Sequence, residues 1–370
     1  MRYKKITLHT LRLSVLTMLI HSGGSVSETT VFDGVGTHEL TEQAYLEGIE
    51  ARNQAQVNNR PGQPLSLSSP ETGKAAVQVT GEGTSVMLEG TEKQKITVDT
   101  EADGGAYGLW AIDKSTLTLK HMDITLKGTN DIAVAVETGA KVDIRKSTLS
   151  INGDNSSGTI AHSSEITLKD SSLRINGGNS SGIASGGTAR VTGHHLDIKA
   201  EGQRVTAIYA NHNSTVDIQD STLSSIGENT FGIVAENTAR VTGHHLDIKA
   251  EGQNVTAIYA NDDSTVDIQN STLSSIGDNA WGIVATARVT GNDLDIKVEG
   301  QGANAVATNG NATIHLHDSH IQTLATPSAV LYSETGATDT TVTITGGSLH
   351  AAGDLIVSKG GKTNLVFSKV

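Results

Sequence analysis

The 370-residue sequence contains no cysteine, and aromatic residues make up 3% of it. The absence of cysteine excludes disulfides, so an exported chain of this length must take its stability from one continuous core. A chain without disulfides can also pass unfolded through a narrow pore. The shortage of aromatic residues suits a narrow core in which aliphatic side chains stack on side chains of their own kind.

Basic residues are also scarce, because 27 lysines and arginines stand against 40 aspartates and glutamates. Phosphate binding needs clustered Lys and Arg, so the net charge of −13 argues against nucleic acid as a partner. It equally argues against binding to an anionic membrane surface. We interpret the charge as a source of solubility for a long, exposed molecule.

The N-terminus has the three-part form of a secretory signal peptide, which we predict over residues 1–27. Basic residues come first, an apolar run follows over residues 11–20, and small residues follow the run. This run is too short to span a membrane. Cleavage would remove four positive charges and no negative one, which changes the net charge from −13 to −17. The alternative is a disordered N-terminal tail.

Residues 189–285 contain one block of sequence written twice. The stretch ARVTGHHLDIKAEGQ begins at Ala189 and again at Ala239, and the two copies differ at seven of 47 aligned positions. Each copy repeats again at half its length, so that Ile198 aligns with Leu223. The elementary unit is therefore about 25 residues long, and such a period sets the architecture before single elements are assigned.

A unit of this length, with short alternating apolar runs and with Gly or Asn at the breaks, predicts one coil of a parallel β-helix, an all-β fold. The signatures of leucine-rich repeats and propellers are absent. Each strand should pair with the same strand one coil away. About eleven coils, mostly of roughly 23–25 residues, fit between residues 74 and 360, which gives a rod of roughly 50–55 Å.

Residues 28–73 lack this repeat, and we predict that they form an N-terminal leader or capping segment for the β-helix of residues 74–370. The pattern over residues 41–52 predicts a short helix with Thr41 as N-cap, followed by an irregular connection marked by Pro61, Pro64 and Pro70. A cap is needed because an open parallel edge would recruit other chains.

Aligned coils place residues of one type in columns, and three columns carry structural predictions. The first should be buried in every coil and contains Ile124, Leu149, Leu173, Ile198, Leu223, Ile248, Leu273, Ile296, Ile321 and Leu349. The second is rich in Asp, Asn, His and Gly, which favour positive φ at turns, and contains His121, Lys146, Asp170, His195, Asp220, His245, Asn270, Asp293, Asp318 and Gly346. The third, where the backbone must bend or take positive φ, contains Gly128, Gly153, Gly177, Gly202, Gly227, Gly252, Gly277 and Gly300.

Two adjacent histidine pairs, His194-His195 and His244-His245, suggest a metal site. The pairs lie two coils apart, about 9.6 Å along the rod, whereas zinc ligands lie about 2.0–2.1 Å from their ion. The two pairs therefore cannot share an ion, and their column lacks the His-rich set that a transition metal prefers. We predict turn residues at these positions, no metal site and no cofactor.

Acidic side chains could form a catalytic site on a β-helix, but here they recur with the repeat. Asp217 and Asp267 lie on alternate coils, as do Asp197 and Asp247, whereas a catalytic carboxylate pair should be singular. Residues 178–182 match Gly-x-Ser-x-Gly, yet a nucleophile elbow needs a following helix, and this stretch is followed by more repeat. We predict no catalytic residue.

The candidate partner-binding residues are aromatic. Tyr209 and Tyr259 occupy equal places in the two copies, and Phe231 and Trp281 do so on the following coils. If they face outward, they form a short stripe suited to contact with a glycan or a protein. The alternative is that they pack under a loop or in the core.

With the signal peptide, the missing cysteines and T-x-D-I-x-x-S-x-L coils such as residues 214–223, the chain resembles the passenger domains of Gram-negative autotransporters, the pertactin-like right-handed β-helices. The resemblance covers residues 74–360 and extends to the vasoproliferative branch, whose passengers act on host endothelial receptors. Autotransporters end in a translocator β-barrel, and this sequence ends at Val370 without one. The resemblance thus implies a truncated or processed passenger, or a different route of export.

Together these features predict a secreted or surface-displayed bacterial rod that is exported through the periplasm. It should be a monomer that binds a host cell-surface protein, matrix or glycan without catalysis. One alternative is a β-helix polysaccharide lyase or hydrolase, which should show several carboxylates unique to one face. Another alternative is a structural surface spacer, which should show neither those carboxylates nor an aromatic patch.

Overall fold

The computed structural model describes residues 28–68, 71–100 and 104–370, and these form one parallel β-solenoid of about 13 turns. The predicted signal peptide and Pro70 lie outside the described residues. All regular elements in the described part of the chain are strands. The predicted parallel β-helix is confirmed.

The 37 strands are mostly four to six residues long. In chain order they are β1 Thr30–Asp33, β2 Gly36–Leu40, β3 Ala44–Tyr45, β4 Ile49–Arg52, β5 Ala55–Asn59, β6 Ser66–Ser68, β7 Ala75–Thr80, β8 Ser85–Glu89, β9 Ile96–Thr100, β10 Tyr107–Ile112, β11 Thr116–Lys120, β12 Met122–Leu126, β13 Ile132–Glu137, β14 Lys141–Arg145, β15 Thr148–Asn152, β16 Ser157–His162, β17 Glu165–Lys169, β18 Ser172–Asn176, β19 Ser181–Gly186, β20 Arg190–His194, β21 Asp197–Glu201, β22 Thr206–Ala210, β23 Thr215–Ile226, β24 Phe231–Ala235, β25 Arg240–Glu251, β26 Thr256–Ala260, β27 Thr265–Ile276, β28 Trp281–Ala285, β29 Arg288–Glu299, β30 Asn304–Thr308, β31 Thr313–His317, β32 His320–Thr323, β33 Ala329–Ser333, β34 Thr340–Thr345, β35 Ser348–Ala351, β36 Asp354–Ser358 and β37 Thr363–Ser368.

Each coil contributes one strand to a 14-stranded sheet, and each coil except the last, which adds only β37, contributes two strands to a 23-stranded sheet. In β23, β25, β27 and β29 these two strands join into single strands of 12 residues. All pairings between named strands are parallel and join neighbouring coils; Val216, for example, pairs with Val191 and with Val241. This register superimposes equivalent residues of successive repeats, so the columns read from the sequence become real columns in space.

The helix predicted over residues 41–52 is wrong. The segment forms β3 and β4, and β4 pairs with both β1 and β7. Ile49 and Ala51 are buried while Glu50 between them is not, so the side chains alternate with the period of a strand. Gly48 breaks any helix with a φ of 77°, and a Cβ there would lie 2.8 Å from the carbonyl oxygen of Ala75. The predicted capping segment therefore contains coils, which is why the rod exceeds the eleven predicted.

The predicted core column is buried, with exposure of 0–1% from Ile124 to Ile321. Its last member, Leu349, is partly buried because β35 pairs with a neighbouring coil on one side, through β32. In one coil, the core residues Val216, Ile218, Leu223, Ile233 and Ala235 are all fully buried. One elongated core therefore runs along the described part of the rod.

The predicted turn column is confirmed, because all ten of its residues have φ between 47° and 72°. The glycine column has a different physical basis in different coils. Gly202, Gly227, Gly252, Gly277 and Gly300 have φ of 132–142°, where a side chain is strained. At Gly153 and Gly177 φ lies outside that region, but a Cβ would lie 2.0–2.1 Å from a carbonyl oxygen of the coil before.

The turn column supplies a stability prediction at Asn270, whose φ is 48°. Changing Asn270 to Val should cost about 1–2 kcal/mol more than changing it to Gly, because a β-branched residue resists this conformation. Both changes remove the hydrogen bond from Asn270 Nδ2 to His244 Nε2. The difference in stability between the two variants therefore reports the cost of the backbone conformation alone. Thermal melts that show equal loss for the two variants would refute the assignment.

Within the described ranges, no helix is long and apolar enough to cross a membrane.

Candidate functional site

The four aromatic residues predicted to contact a partner lie in the 14-stranded sheet, in β22, β24, β26 and β28. In β22, Ile208 and Ala210 point into the core, and Tyr209 between them points to the opposite side. Tyr259 repeats this arrangement in β26. The side chains therefore project from the outer surface of the sheet, and the alternative of core packing does not apply to the tyrosines.

The register assigns these aromatic residues to two parallel columns that run along the rod. One column contains Trp110, Ala135, Ile160, Ala184, Tyr209, Val234, Tyr259, Val284, Ala307 and Tyr332. The other contains Tyr107, Ile132, Ser157, Ser181, Thr206, Phe231, Thr256 and Trp281. We call the surface formed by these two columns the aromatic face.

Aromatic rings contact one another across the aromatic face, from one coil to the next for Phe231 and Tyr259 and across one intervening coil for Trp281 and Tyr332. Phe231 and Tyr259 have ring centroids 5.8 Å apart, and Trp281 and Tyr332 have centroids 5.4 Å apart in an edge-to-face arrangement. Phe231 is only 7% exposed, so the alternative of a packed ring applies to it. It supports Tyr259 and does not itself offer a surface to a partner.

Three further aromatic residues belong to this face and were missed in the sequence. Tyr107 and Trp110 stack at 4.8 Å in β10, and Tyr332 lies in β33. Trp110 and Tyr332 occupy the same column as Tyr209, so extending the repeat period toward both ends would have found them.

The residues between the aromatic rings of the first column are small or aliphatic. Ala135, Ile160, Val234 and Ala307 are at most 5% exposed, yet none belongs to the interior core. In the column, half-buried aromatic residues adjoin Ala135, Val234 and Ala307, whereas Ile160 lies between Ala135 and Ala184. From Trp110 to Tyr332 the column spans nine coil steps, about 43 Å, and the half-buried rings of Trp110, Tyr209, Tyr259 and Tyr332 are the part of it that a partner can reach.

Acidic side chains line one edge of the aromatic face. Glu137 is the last residue of β13, and Glu236 and Glu334 come directly after β24 and β33. Burial raises the pKa of each carboxyl above its usual value near 4.5. The hydroxyl of Tyr209 donates to Glu236 Oε2 at 3.0 Å and accepts from Asn211 Nδ2 at 2.7 Å. Burial raises the pKa of Tyr259 to about 12 and that of Tyr209 further, so both phenols stay neutral and can donate.

Glu236 gives a pH-dependent prediction with a definite sign. Because its folded pKa is raised, the folded state holds the proton more tightly than the unfolded state. Its ionisation therefore destabilises the fold as pH rises from about 4.5 through the raised value. The Glu236→Gln variant, which is neutral throughout, should gain melting temperature relative to wild type between about pH 4.5 and pH 7. A difference that shrinks over this range would contradict the assigned direction.

The candidates for catalysis do not converge in the structure. Asp217 and Asp267 project from alternate coils with Thr242 paired between them, as the repeat predicts. Ser180, the serine of the Gly-x-Ser-x-Gly match, is 1% exposed and donates to the carbonyl of Gly178 at 3.0 Å. A turn precedes it and β19 follows it directly, where a nucleophile elbow would need a helix.

Comparison with known proteins gives a likeness in fold. No protein-family model and no curated protein sequence matches the chain. Among solved structures, a chain of the Vag8-C1 inhibitor complex matches with a TM-score of 0.57 and 14% identity, over 92% of this chain and 100% of that one. The A-module of the mannuronan C-5 epimerase AlgE4 of Azotobacter vinelandii has a TM-score of 0.41 and 10% identity, over 90% and 91%. Tailspike protein 3 of bacteriophage CBA120 has 0.32 and 12%, over 81% and 54%.

At 14% identity the first of these likenesses shows the fold alone. It agrees with the coil architecture by which the sequence resembles autotransporter passengers.

Proposed function

We propose that the chain is an exported bacterial β-helix that binds host cells or their matrix through the aromatic face, without catalysing a reaction. The observation that carries this proposal is the outer apolar column with Trp110, Tyr209, Tyr259 and Tyr332 half-buried along it. Aliphatic residues already fill the core of the rod, so folding does not require four large aromatic rings on the outer surface of a sheet.

The side chains of the face define the chemistry of the partner. Aromatic rings give broad, rigid contact area, and the phenols of Tyr209 and Tyr259 add hydrogen-bond donors. Glu137, Glu236 and Glu334 make the edge acidic. An acidic edge beside aromatic rings suits a neutral glycan or a protein surface with basic residues, and it disfavours a polyanion.

Support for export and a host-facing role comes from the resemblance to autotransporter passengers and from the predicted signal peptide. Vag8, which shares the fold, was solved in complex with C1 inhibitor, so this architecture can present a protein-binding surface. We propose a location outside the bacterial cell on this basis.

A carbohydrate-active enzyme is the alternative from another class. The alternation of Asp217, Thr242 and Asp267 along the rod favours binding over catalysis, because repeated carboxylates two coils apart are a product of duplication. A purely structural spacer is disfavoured by the aromatic face.

The test is binding of the purified full chain to cultured mammalian cells. We expect saturable binding of the wild type and at least about tenfold weaker binding of the double variant Tyr209→Ala, Tyr259→Ala. Phe367→Ala is the matched control, because Phe367 is 42% exposed in β37 of the other sheet, and its loss should leave binding unchanged. Tyr209→Phe separates the ring from the hydroxyl.

Circular dichroism must show that the double variant keeps its fold at the assay temperature. Equal binding by the double variant and the wild type would show that the aromatic face is not the binding surface. Release of unsaturated or reducing sugars from a panel of polysaccharides would overturn the non-catalytic interpretation in favour of the enzyme.

A further inference from the structure

We propose that His194, His195 and Asp220 form a binding site for a divalent transition-metal ion, with zinc as the reference case. The site lies on the 23-stranded sheet and is independent of the aromatic face. One ligand atom from each of the three residues lies within 4.8 Å of the other two. Imidazole nitrogen with a single carboxylate is the donor set that zinc, copper and nickel prefer.

The turn conformation brings the two adjacent histidines together. In a continuous strand, neighbouring side chains point to opposite faces. His194 ends β20, and His195 takes a φ of 52°, so the chain turns and both imidazoles lie on one side with ring centroids 4.0 Å apart. The positive φ of the turn column therefore also brings the two imidazoles close enough to bind one ion together.

The third ligand comes from the next coil. Asp220 Oδ2 lies 3.0 Å from His194 Nε2 and 3.9 Å from His195 Nε2. Ligand atoms about 2.0–2.1 Å from a tetrahedral zinc ion lie roughly 3.3 Å from one another. Small side-chain rotations thus suffice to bind an ion, and the three side chains are 37%, 54% and 37% exposed, so an ion can enter.

In two of the three ligands, the side-chain atom that would not bind the ion is held by a neighbouring residue, and this contact orients the ligand. His195 Nδ1 lies 3.1 Å from Asp170 Oδ1. When Nδ1 carries the proton and donates it to this carboxylate, Nε2 keeps a free lone pair, which faces Asp220. Asp220 Oδ1 in turn lies 3.1 Å from His245 Nδ1. A carboxylate that orients a metal-bound imidazole, as Asp170 would orient His195, is characteristic of metal sites, and its loss typically changes metal affinity by about 10–100-fold.

From the sequence we predicted no metal site, because the two histidine pairs are too far apart to share an ion and the coil between them adds no histidine. One pair completed by the carboxylate of Asp220 needs neither a shared ion nor a third histidine. The second pair lacks such a carboxylate, because Asn270 stands where Asp220 stands and donates from Nδ2 to His244 Nε2 at 2.8 Å. The described part of the chain therefore contains a complete site and an incomplete copy of it.

The experiment is a calorimetric titration of the untagged full chain with zinc chloride in chelator-treated buffer. We expect one zinc ion per wild-type chain. Asp220→Asn makes the first site identical to the second in its ligands and should weaken zinc binding at least about tenfold. Asn270→Asp should do the reverse and raise the stoichiometry to two.

Circular dichroism of each variant in the absence of zinc provides the folding control, and Asn and Asp are both suited to the turn's positive φ. Three results would overturn the proposal: no zinc binding by the wild type, wild-type affinity in Asp220→Asn, or a stoichiometry unchanged by Asn270→Asp. Titration with calcium chloride should show no binding at the same site, because its nitrogen ligands disfavour calcium.

Discussion

Replacing Gly252 with alanine is expected to destabilise the rod by about 3 kcal/mol, which is large for the addition of one methyl group. The φ of Gly252 is 132°, and an added Cβ would lie 2.0 Å from the carbonyl oxygen of Gly227 on the coil before it. That oxygen belongs to the backbone of a stacked coil and cannot move without breaking the ladder. The measurement is the urea midpoint of unfolding, followed by circular dichroism.

The matched control is Gly186→Ala in β19. Gly186 does not have a positive φ in the strained range, and the nearest atom to its added Cβ is His162 Nδ1 at 3.6 Å, an ordinary contact. This variant should change stability by less than about 0.5 kcal/mol. If the two alanine variants lost equal stability, the stacked glycine column would have no special role.

Leu223→Ala should cost about 2–5 kcal/mol, because Leu223 is fully buried between Ile198 and Ile248 of the neighbouring coils and leaves a cavity when truncated. Leu349→Ala, in the same column near the C-terminal end, should cost clearly less, because Leu349 is only partly buried. The comparison tests whether stability comes from the stacked interior column. Equal costs at the two positions would contradict that view.

The central coils could be predicted residue by residue because their period is nearly constant. At an interval of about 25 residues, alternation within one strand fixes which side chains point inward, and stacking copies that choice to the next coil. The turn column followed from residue type, since Asp, Asn, His and Gly tolerate the left-handed region. Local chemistry and long-range register therefore agree in this part of the chain.

The first coils escaped prediction because their lengths vary. Thr30 pairs with Ile49, Ile49 with Val77 and Val77 with Leu109, so that each step along the chain is longer than the one before. No fixed period aligns them, and local helix propensity around Thr41 was the only available signal. Pairing with strands that are distant in the sequence overrides that propensity in the folded chain.

The aromatic face was predicted in part. The duplicated block pointed to Tyr209 and Tyr259, but exposure depends on what each ring packs against, which a single coil does not specify. Phe231 is covered by Tyr259 from the next coil, and the histidine pair meets Asp220 only because coils stack. Both features depend on contacts between coils, so sequence spacing alone gives their positions and not their surroundings.

Tryptophan fluorescence tests the central claim most directly, because the chain has two tryptophans, Trp110 and Trp281, and both lie on the aromatic face. The full chain is titrated with soluble matrix proteins, glycans and a detergent extract of the cells to which it binds. A component that blocks cell binding should also change the tryptophan emission saturably, with a smaller change in Trp281→Phe. A component that blocks cell binding and leaves the emission of both tryptophans unchanged would place the binding surface elsewhere on the rod.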